Sequence, residues 1–389
     1  MERVLSSGPT QRAPVGKAST RERRVDVLRG VALLCIFVDH IPGNWLNWLT
    51  LRNFGLSDAA ELFVMLSGFA SMVAYGRSFQ RDGTRAGLLR IALRCLRLYV
   101  YQVGMLLASL LIVWVWTNHY HLEPLQLAPM LHGGVAAIRR GLTLQSQPSN
   151  LNILPLYILL LAAFPAIYAG LRFRPVLTLV VSAGVWLAAN LVPGLNLTNA
   201  MDGNGWFFNP FAWQFIFVLG AMLARVMAQS EGSLPRLPWL VALCWVLLGL
   251  AFLEAFPWQQ WGLPNLAPLA MDPPDKTNLA PLRLLHALAL VYVVLTWQGL
   301  RSLLRVPPVA WTECLGRHSL EVFSAATMLA LFGRLTFRSY GDAWPTQLVV
   351  NLVGLSAMLA VARLLERVPA RPVAAPASVP ALVRPPMHR

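Results

Sequence analysis

The charged residues that interrupt the apolar runs of this chain fall into a few tight groups, and the first is the most pointed. Arg29 is separated from Asp39 and His40 by the nine residues GVALLCIFV. Nine residues of helix reach roughly 14 Å, well short of the ~30 Å hydrocarbon core of a bilayer. Arg29, Asp39 and His40 therefore cannot all face lipid. Either they face the interior of a bundle or an aqueous cavity, where ionisable groups serve function, or Arg29 snorkels to the headgroups while Asp39 and His40 sit in the opposite interface. An imidazole titrates near neutrality, which suits it to take a proton from a hydroxyl.

Asp58 and Glu61 open the next apolar run three residues apart, on one helical face. Helix capping by Ser57 or Asp58 explains the first of these carboxylates well and the second less well. A third group is the polar stretch Asp272, Asp275, Lys276 and Asn278, which leads through Pro281 into Arg283 and His286. Proline suits the first turn of a helix, so Arg283 and His286 point from one face, placed to hold an anion or to rest at the headgroups. The fourth group, Glu313, Arg317, His318 and Glu321, reads either as an anion-holding mouth or as anchoring at the membrane surface. His119, His121 and His132 lie among prolines and glycines without metal-ligand spacing, and no metal site is expected.

Composition sets the frame that must carry these groups. Of 389 residues, 56% are hydrophobic and 13% charged, with a formal net charge of +15. A soluble chain carries about a quarter charged residues, and disordered chains are far less apolar. Ten apolar windows follow, at 25–45, 58–76, 92–116, 151–170, 175–192, 210–228, 238–256, 281–300, 311–332 and 345–365. The expected fold is an all-α, polytopic membrane helix bundle of about ten crossings. Assigning the loops alternately to two sides places 24 Lys and Arg on one side and 6 on the other. The positive-inside rule then puts both termini in the cytoplasm. The basic excess is thus topology signal, and no nucleic-acid partner is expected. Residues 1–24 form a basic cytoplasmic segment, 25–365 the membrane domain and 366–389 a disordered tail. The first run, interrupted by charges, is expected to be retained rather than cleaved as a signal peptide. Segment 117–150 is expected to hold a short interfacial or re-entrant helix, and Trp206, Trp258 and Trp261 to join an interfacial belt. Cys35, Cys95, Cys244 and Cys314 have no paired spacing, so neither a disulfide framework nor a zinc site is expected.

The arrangement puts cations (Arg29, Arg317, with Arg94 and Arg97 nearby) at the inner mouth. Acid and base groups (Asp39, His40, Asp58, Glu61, Arg283, His286) lie at the outer one. Arg29 and His40 are eleven residues apart, about 16 Å along a helix. That span matches a long, slim donor such as a coenzyme A thioester, its phosphates on arginines and its acyl group delivered to a histidine acting as base. The other reading is a proton-coupled transporter or flippase with Asp39, His40 and Glu61 as relay; no internal repeat of the transporter kind is visible.

The block from Asp26 through Arg29, Gly30, Asp39, His40, Gly43 and Asn44 to LRNFGLSDAAELFV (51–64) resembles the OpgC family. So do NILPLY (152–157), FNPFAWQ (208–214), DKTNL (275–279) and LGRHSL (315–320). The spacing of Arg29 and His40 is also similar to the motif of the wider membrane acyltransferase-3 group. The resemblance implies a bacterial inner-membrane protein that O-succinylates osmoregulated periplasmic glucans, with cytoplasmic succinyl-CoA as co-substrate and no resident cofactor. By position it makes His40 the catalytic histidine and Arg29 the donor-side arginine. On that reading Glu61, rather than the adjacent Asp39, orients the imidazole, because neighbouring residues on a helix point about 100° apart. Arg317 and His318 then grip the donor phosphates, and Arg283 meets the succinyl carboxylate. Asp58, Asp275, Asn278 and His286 complete the glucan side. Oligomeric state is not readable.

Overall fold

The computed structural model describes residues 23–230, 234–297 and 306–367. The basic segment before residue 23 and the tail after 367 lie outside the described residues. Within them the chain is helical, with no sheet and one isolated bridge between Thr198 and Gly205.

Thirteen helices suffice to place the site. They are α1 (Arg23–Asp39), α2 (Ala59–Arg81), α3 (Gly83–Tyr120), α4 (Ala128–His132), α5 (Gly134–Leu142), α6 (Ile153–Phe173) and α7 (Pro175–Leu191). There follow α8 (Pro210–Gln229), α9 (Pro238–Ala255), α10 (Pro281–Thr296), α11 (Pro307–Arg317), α12 (Ser319–Tyr340) and α13 (Trp344–Arg367). Seven of these are long and apolar enough to cross a membrane: α2, α3, α6, α8, α9, α12 and α13. Helices α7 and α10 are apolar but shorter. Every one of the ten sequence windows contains a helix, although the windows mistake several ends. The first helix stops at Asp39, and α3 runs on for 38 residues. The ninth window is broken at His318, where the backbone leaves helical geometry and separates α11 from α12. Segment 117–150 holds two short helices, α4 and α5, after the end of α3.

Local chemistry explains the ends. Proline stands at the start of α7, α8, α9, α10 and α11, where its missing N–H would have had no helical acceptor. Asn209 caps α8 by accepting from the Phe211 amide at 3.0 Å. Asp58 caps α2 through the Ala60 amide at 2.8 Å, and Glu61 reaches back to accept from the Asp58 amide at 2.9 Å, a complete capping box. Within α2 a π-turn over Met72–Gly76 interrupts the regular ladder.

Glycines decide how closely the central helices approach. A Cβ on Gly68 would stand 2.0 Å from the Phe217 carbonyl oxygen, and one on Gly220 would stand 1.9 Å from that of Met65. Helices α2 and α8 therefore touch backbone to backbone. Gly30 and Gly316 do the same for α1 and α11, against Thr312 and Asp26. Such small-residue contacts are how helices pack in lipid, where no hydrophobic force drives them together. The outer faces of α3, α7, α9 and α13 expose Leu93, Trp114, Val176, Trp245 and Leu352. The tryptophan belt is smaller than expected: Trp206 and Trp258 are buried in protein, and Trp261 is exposed. Trp258 donates its indole N–H to the Leu253 carbonyl at 2.8 Å, which ties its polar end to the fold rather than to an interface.

Candidate functional site

Two cavities lie on the path of α1 through the bundle. His40 follows the last residue of α1, and its Nδ1 is buried with no hydrogen-bond partner. The ring lines a cavity of about 880 Å³ together with Asp39, Arg52, Asp58, Asn152 and Lys276. Asp39 accepts from the Thr50 hydroxyl at 2.7 Å, which fixes its carboxylate against the turn that leaves α1. Three turns back, Arg29 lines a second cavity of about 690 Å³ with Arg94, Ser67, Ser71, Tyr75 and Tyr157. Arg29 donates to the Leu66 carbonyl at 2.7 Å, and the Ser71 hydroxyl there is buried without a partner. The first turn of α12, from Ser319, borders the same cavity, so the break at His318 brings a helix N-terminus beside two arginines. Helix N-termini and arginines both favour phosphate.

The other charges expected at the site are braces. Arg283 donates through Nε to Glu61 at 2.6 Å and through a terminal nitrogen to Asp58 at 3.1 Å. Lys276 completes the network on Asp58, and its ammonium also sits over the rings of Phe207 and Phe208. Glu61 is fully buried. With one oxygen on Arg283 and the other on the Asp58 amide, it is engaged in the capping box and does not orient His40. Arg283, held by two carboxylates, is likewise not offered to a substrate carboxylate. His286 lies beneath Gly55, where a Cβ would stand 2.0 Å from its Nε2, and its Nδ1 meets the Ser57 hydroxyl at 2.7 Å. It borders a different, largely apolar cavity with Trp245 and Phe252.

Asp275 accepts from the backbone of Thr277 and Asn278 at 2.9 and 3.0 Å. Asn278 accepts from Asn209 at 2.8 Å and, through its carbonyl, from Asn190 at 2.9 Å. Both residues shape the loop that delivers Lys276. At the other end of the bundle Arg317 bonds Glu313 and, at 3.2 Å, Glu366, while Arg23 also meets Glu313 at 2.7 Å. Neither Arg317 nor His318 lines the Arg29 cavity. Arg97 bonds Glu321. Asp39, His40 and Glu61 share no direct hydrogen bond: Asp39 is held by Thr50, and Glu61 by Arg283 and the Asp58 amide.

The residues that take the vacated places are Arg94, Tyr75 and Tyr157 in one cavity and Arg52, Lys276 and Asn152 in the other. Arg52, Asn152 and Tyr157 have no sequence signal beyond their place in the resemblance blocks quoted above, whereas Lys276 also stands in the polar stretch before Pro281. The four cysteines are free thiols.

A bundle with helices of membrane-crossing length, and with His40 in one polar cavity and Arg29 and Arg94 in another, defines a multi-pass membrane protein with a polar interior. A family profile described as OpgC protein matches residues 21–370, and the chain belongs to the OpgC family. No curated protein matches the chain.

Proposed function

We propose that this protein is a transmembrane O-acyltransferase of the bacterial inner membrane, moving a succinyl group from cytoplasmic succinyl-CoA to hydroxyls of periplasmic glucans. The observation that carries this reading is the pair of cavities on one helix, one lined by Arg29 and Arg94, the other by a histidine whose buried Nδ1 has no partner. The donor's phosphates rest on Arg29, Arg94 and the N-terminus of α12. Its pantetheine arm runs along α1 toward His40. The glucan enters the His40 cavity from the opposite face, in the ten-crossing topology with cytoplasmic termini.

His40 takes the proton of the attacking hydroxyl as the oxygen adds to the thioester carbonyl. Collapse of the tetrahedral intermediate breaks the C–S bond, and the proton passes to the departing thiolate, so coenzyme A leaves as free thiol and the imidazole is regenerated. A base needs only to reach the hydroxyl it deprotonates, and an imidazole without an intramolecular partner is free to do so. Asp39, held by Thr50, lines the same cavity beside His40. Because Arg283 is engaged by Glu61 and Asp58, the succinyl carboxylate falls to Arg52, which lines the His40 cavity.

The test is release of free thiol by purified protein supplied with succinyl-CoA or acetyl-CoA, with and without periplasmic glucan. Glucan-dependent release from succinyl-CoA that disappears in His40→Ala is the expected result. No release from any donor by folded protein, or full activity in His40→Ala, overturns the assignment.

A further inference from the structure

The two cavities meet at a pair of aromatic rings. Phe323 of α12 lines both of them. Phe63 of α2 lines the Arg29 cavity and lies against Phe323, with ring centroids 5.8 Å apart and planes tilted by 32°. Phe323 is 1% exposed and Phe63 6%. The same stripe of α2 runs from one cavity to the other: Ala60 borders the His40 side, and Phe63, Ser67, Ala70 and Ala74 border the Arg29 side. Every side chain on that stripe is small except Phe63. Between the two cavities α2 thus sets one large ring, Phe63, against another, Phe323, and Tyr75, the other large α2 side chain in the Arg29 cavity, stands about three turns away from that contact. Neighbouring helices repeat the division, α1 contributing Arg29 to one side and Ile36 and His40 to the other, α6 contributing Leu154 and Ile153 respectively.

We infer that Phe63 and Phe323 are the partition between a donor chamber and an acceptor chamber, and that they set how far an acyl-carrying arm penetrates. The role in transfer rests on the proposed acyltransferase reading; the partition itself does not. Two rings in van der Waals contact exclude water from the region between thioester and base, and exclusion of water suppresses hydrolysis of a reactive donor. A slim thioester arm can displace a phenyl ring by rotation about χ1 and χ2, whereas hydrated ions cannot. The rings therefore act as positioning residues, and they bias the outcome toward transfer to a sugar hydroxyl over transfer to water. When water replaces the hydroxyl, its oxygen forms the new bond to the acyl carbon, the C–S bond breaks, and free succinate and coenzyme A result.

The experiment uses the full chain with Ala60→Cys as a reporter in the His40 chamber, reconstituted in vesicles. A membrane-impermeant thiol reagent is applied from the Arg29 side, and labelling is corrected for the parent's four native cysteines. The reporter alone should stay unlabelled from that side, and adding Phe63→Ala or Phe323→Ala should expose it. Phe63→Leu and Phe323→Leu, which remove less volume, serve if the alanine variants do not fold. With glucan present, donor hydrolysis relative to transfer should rise about tenfold in the same variants, as the bound donor partitions between water and the sugar hydroxyl. Phe63→Trp, which enlarges the ring, should lower transfer. Labelling of the reporter in the parent, or no labelling in any folded variant, overturns the partition whatever the reaction is. Absence of thiol release by the unsubstituted protein would instead remove the acyltransferase reading while the labelling result still decides the partition.

Discussion

Removal of the Arg283 side chain separates a brace from a substrate receptor. Its guanidinium meets Glu61 at 2.6 Å and Asp58 at 3.1 Å, and Glu61 has no exposed surface. In Arg283→Ala the Glu61 carboxylate keeps only the bond from the Asp58 amide, and Asp58 keeps Lys276 and the Ala60 amide. Breaking one side of a buried ion pair costs about 3–5 kcal/mol, and the fully enclosed Glu61 places the cost toward the upper end. Replacing both partners, as in Arg283→Leu with Glu61→Leu, removes the stranded charge. What remains lost is the capping-box carboxylate, on the order of 1 kcal/mol. Unfolding of the purified variants by titration with SDS in mixed micelles should therefore show the single variant much less stable than the double. Activity in Arg283→Ala should fall equally for succinyl-CoA and acetyl-CoA, because the lesion is in the scaffold. A stable Arg283→Ala protein that loses succinyl transfer while retaining acetyl transfer would refute the reasoning and restore Arg283 as the carboxylate receptor.

Three further expectations use the same protein. Gly68→Ala and Gly220→Ala should each destabilise by about 1–3 kcal/mol or more, since the new methyl would meet a backbone carbonyl at 2.0 or 1.9 Å; Gly104→Ala, with open space around it, should be neutral in the same titration. Arg94→Gln should raise the KM for the CoA donor by about tenfold or more, the worth of a charge-assisted hydrogen bond, with the KM for glucan unchanged in steady-state assays. Arg52→Gln should lower the kcat/KM ratio of succinyl-CoA to acetyl-CoA by a similar factor, and an unchanged ratio would show that the carboxylate is read elsewhere.

Much of the helical frame was legible because hydrophobicity and length determine it. Each apolar window contains a helix, and Pro281 opens α10 as its position before an apolar run implies. The capping alternative weighed for Asp58 is what the structure shows, and Glu61, which it explained less well, completes the same box. The ends were less legible. The polar GRHSL (316–320), with Arg317 and His318 early in the ninth window, weakens that window without locating a break, and the window reads through His318, where the backbone leaves the helix. The apolar content of 257–261 suits an interface, yet Trp258 is buried because Phe252 and Phe256 pack on its ring.

The roles of the charges were the hardest to read, and the reason is physical. A buried charge must find a partner, and in a bundle that partner is hundreds of residues away: Arg283 and Glu61 are separated by 222 positions, Arg23 and Glu313 by 290. Spacing along one helix shows only which side chains share a face. It cannot show that the face is already satisfied from across the bundle. Arg283, His286 and Asn278 looked available because their partners lie far along the chain, while Asp275 and Arg317 are held in part by neighbours two to four residues away; the structure spends the hydrogen bonds of all five on holding loops and helix ends together. By the same test His40 differs from them. A buried polar nitrogen left without a partner costs about 1–3 kcal/mol, and a substrate hydroxyl entering the cavity would meet that nitrogen. The His40 ring at a cavity, with Nδ1 buried and unpartnered and Asp39 held on Thr50, is the arrangement expected of a group whose partner arrives with the substrate.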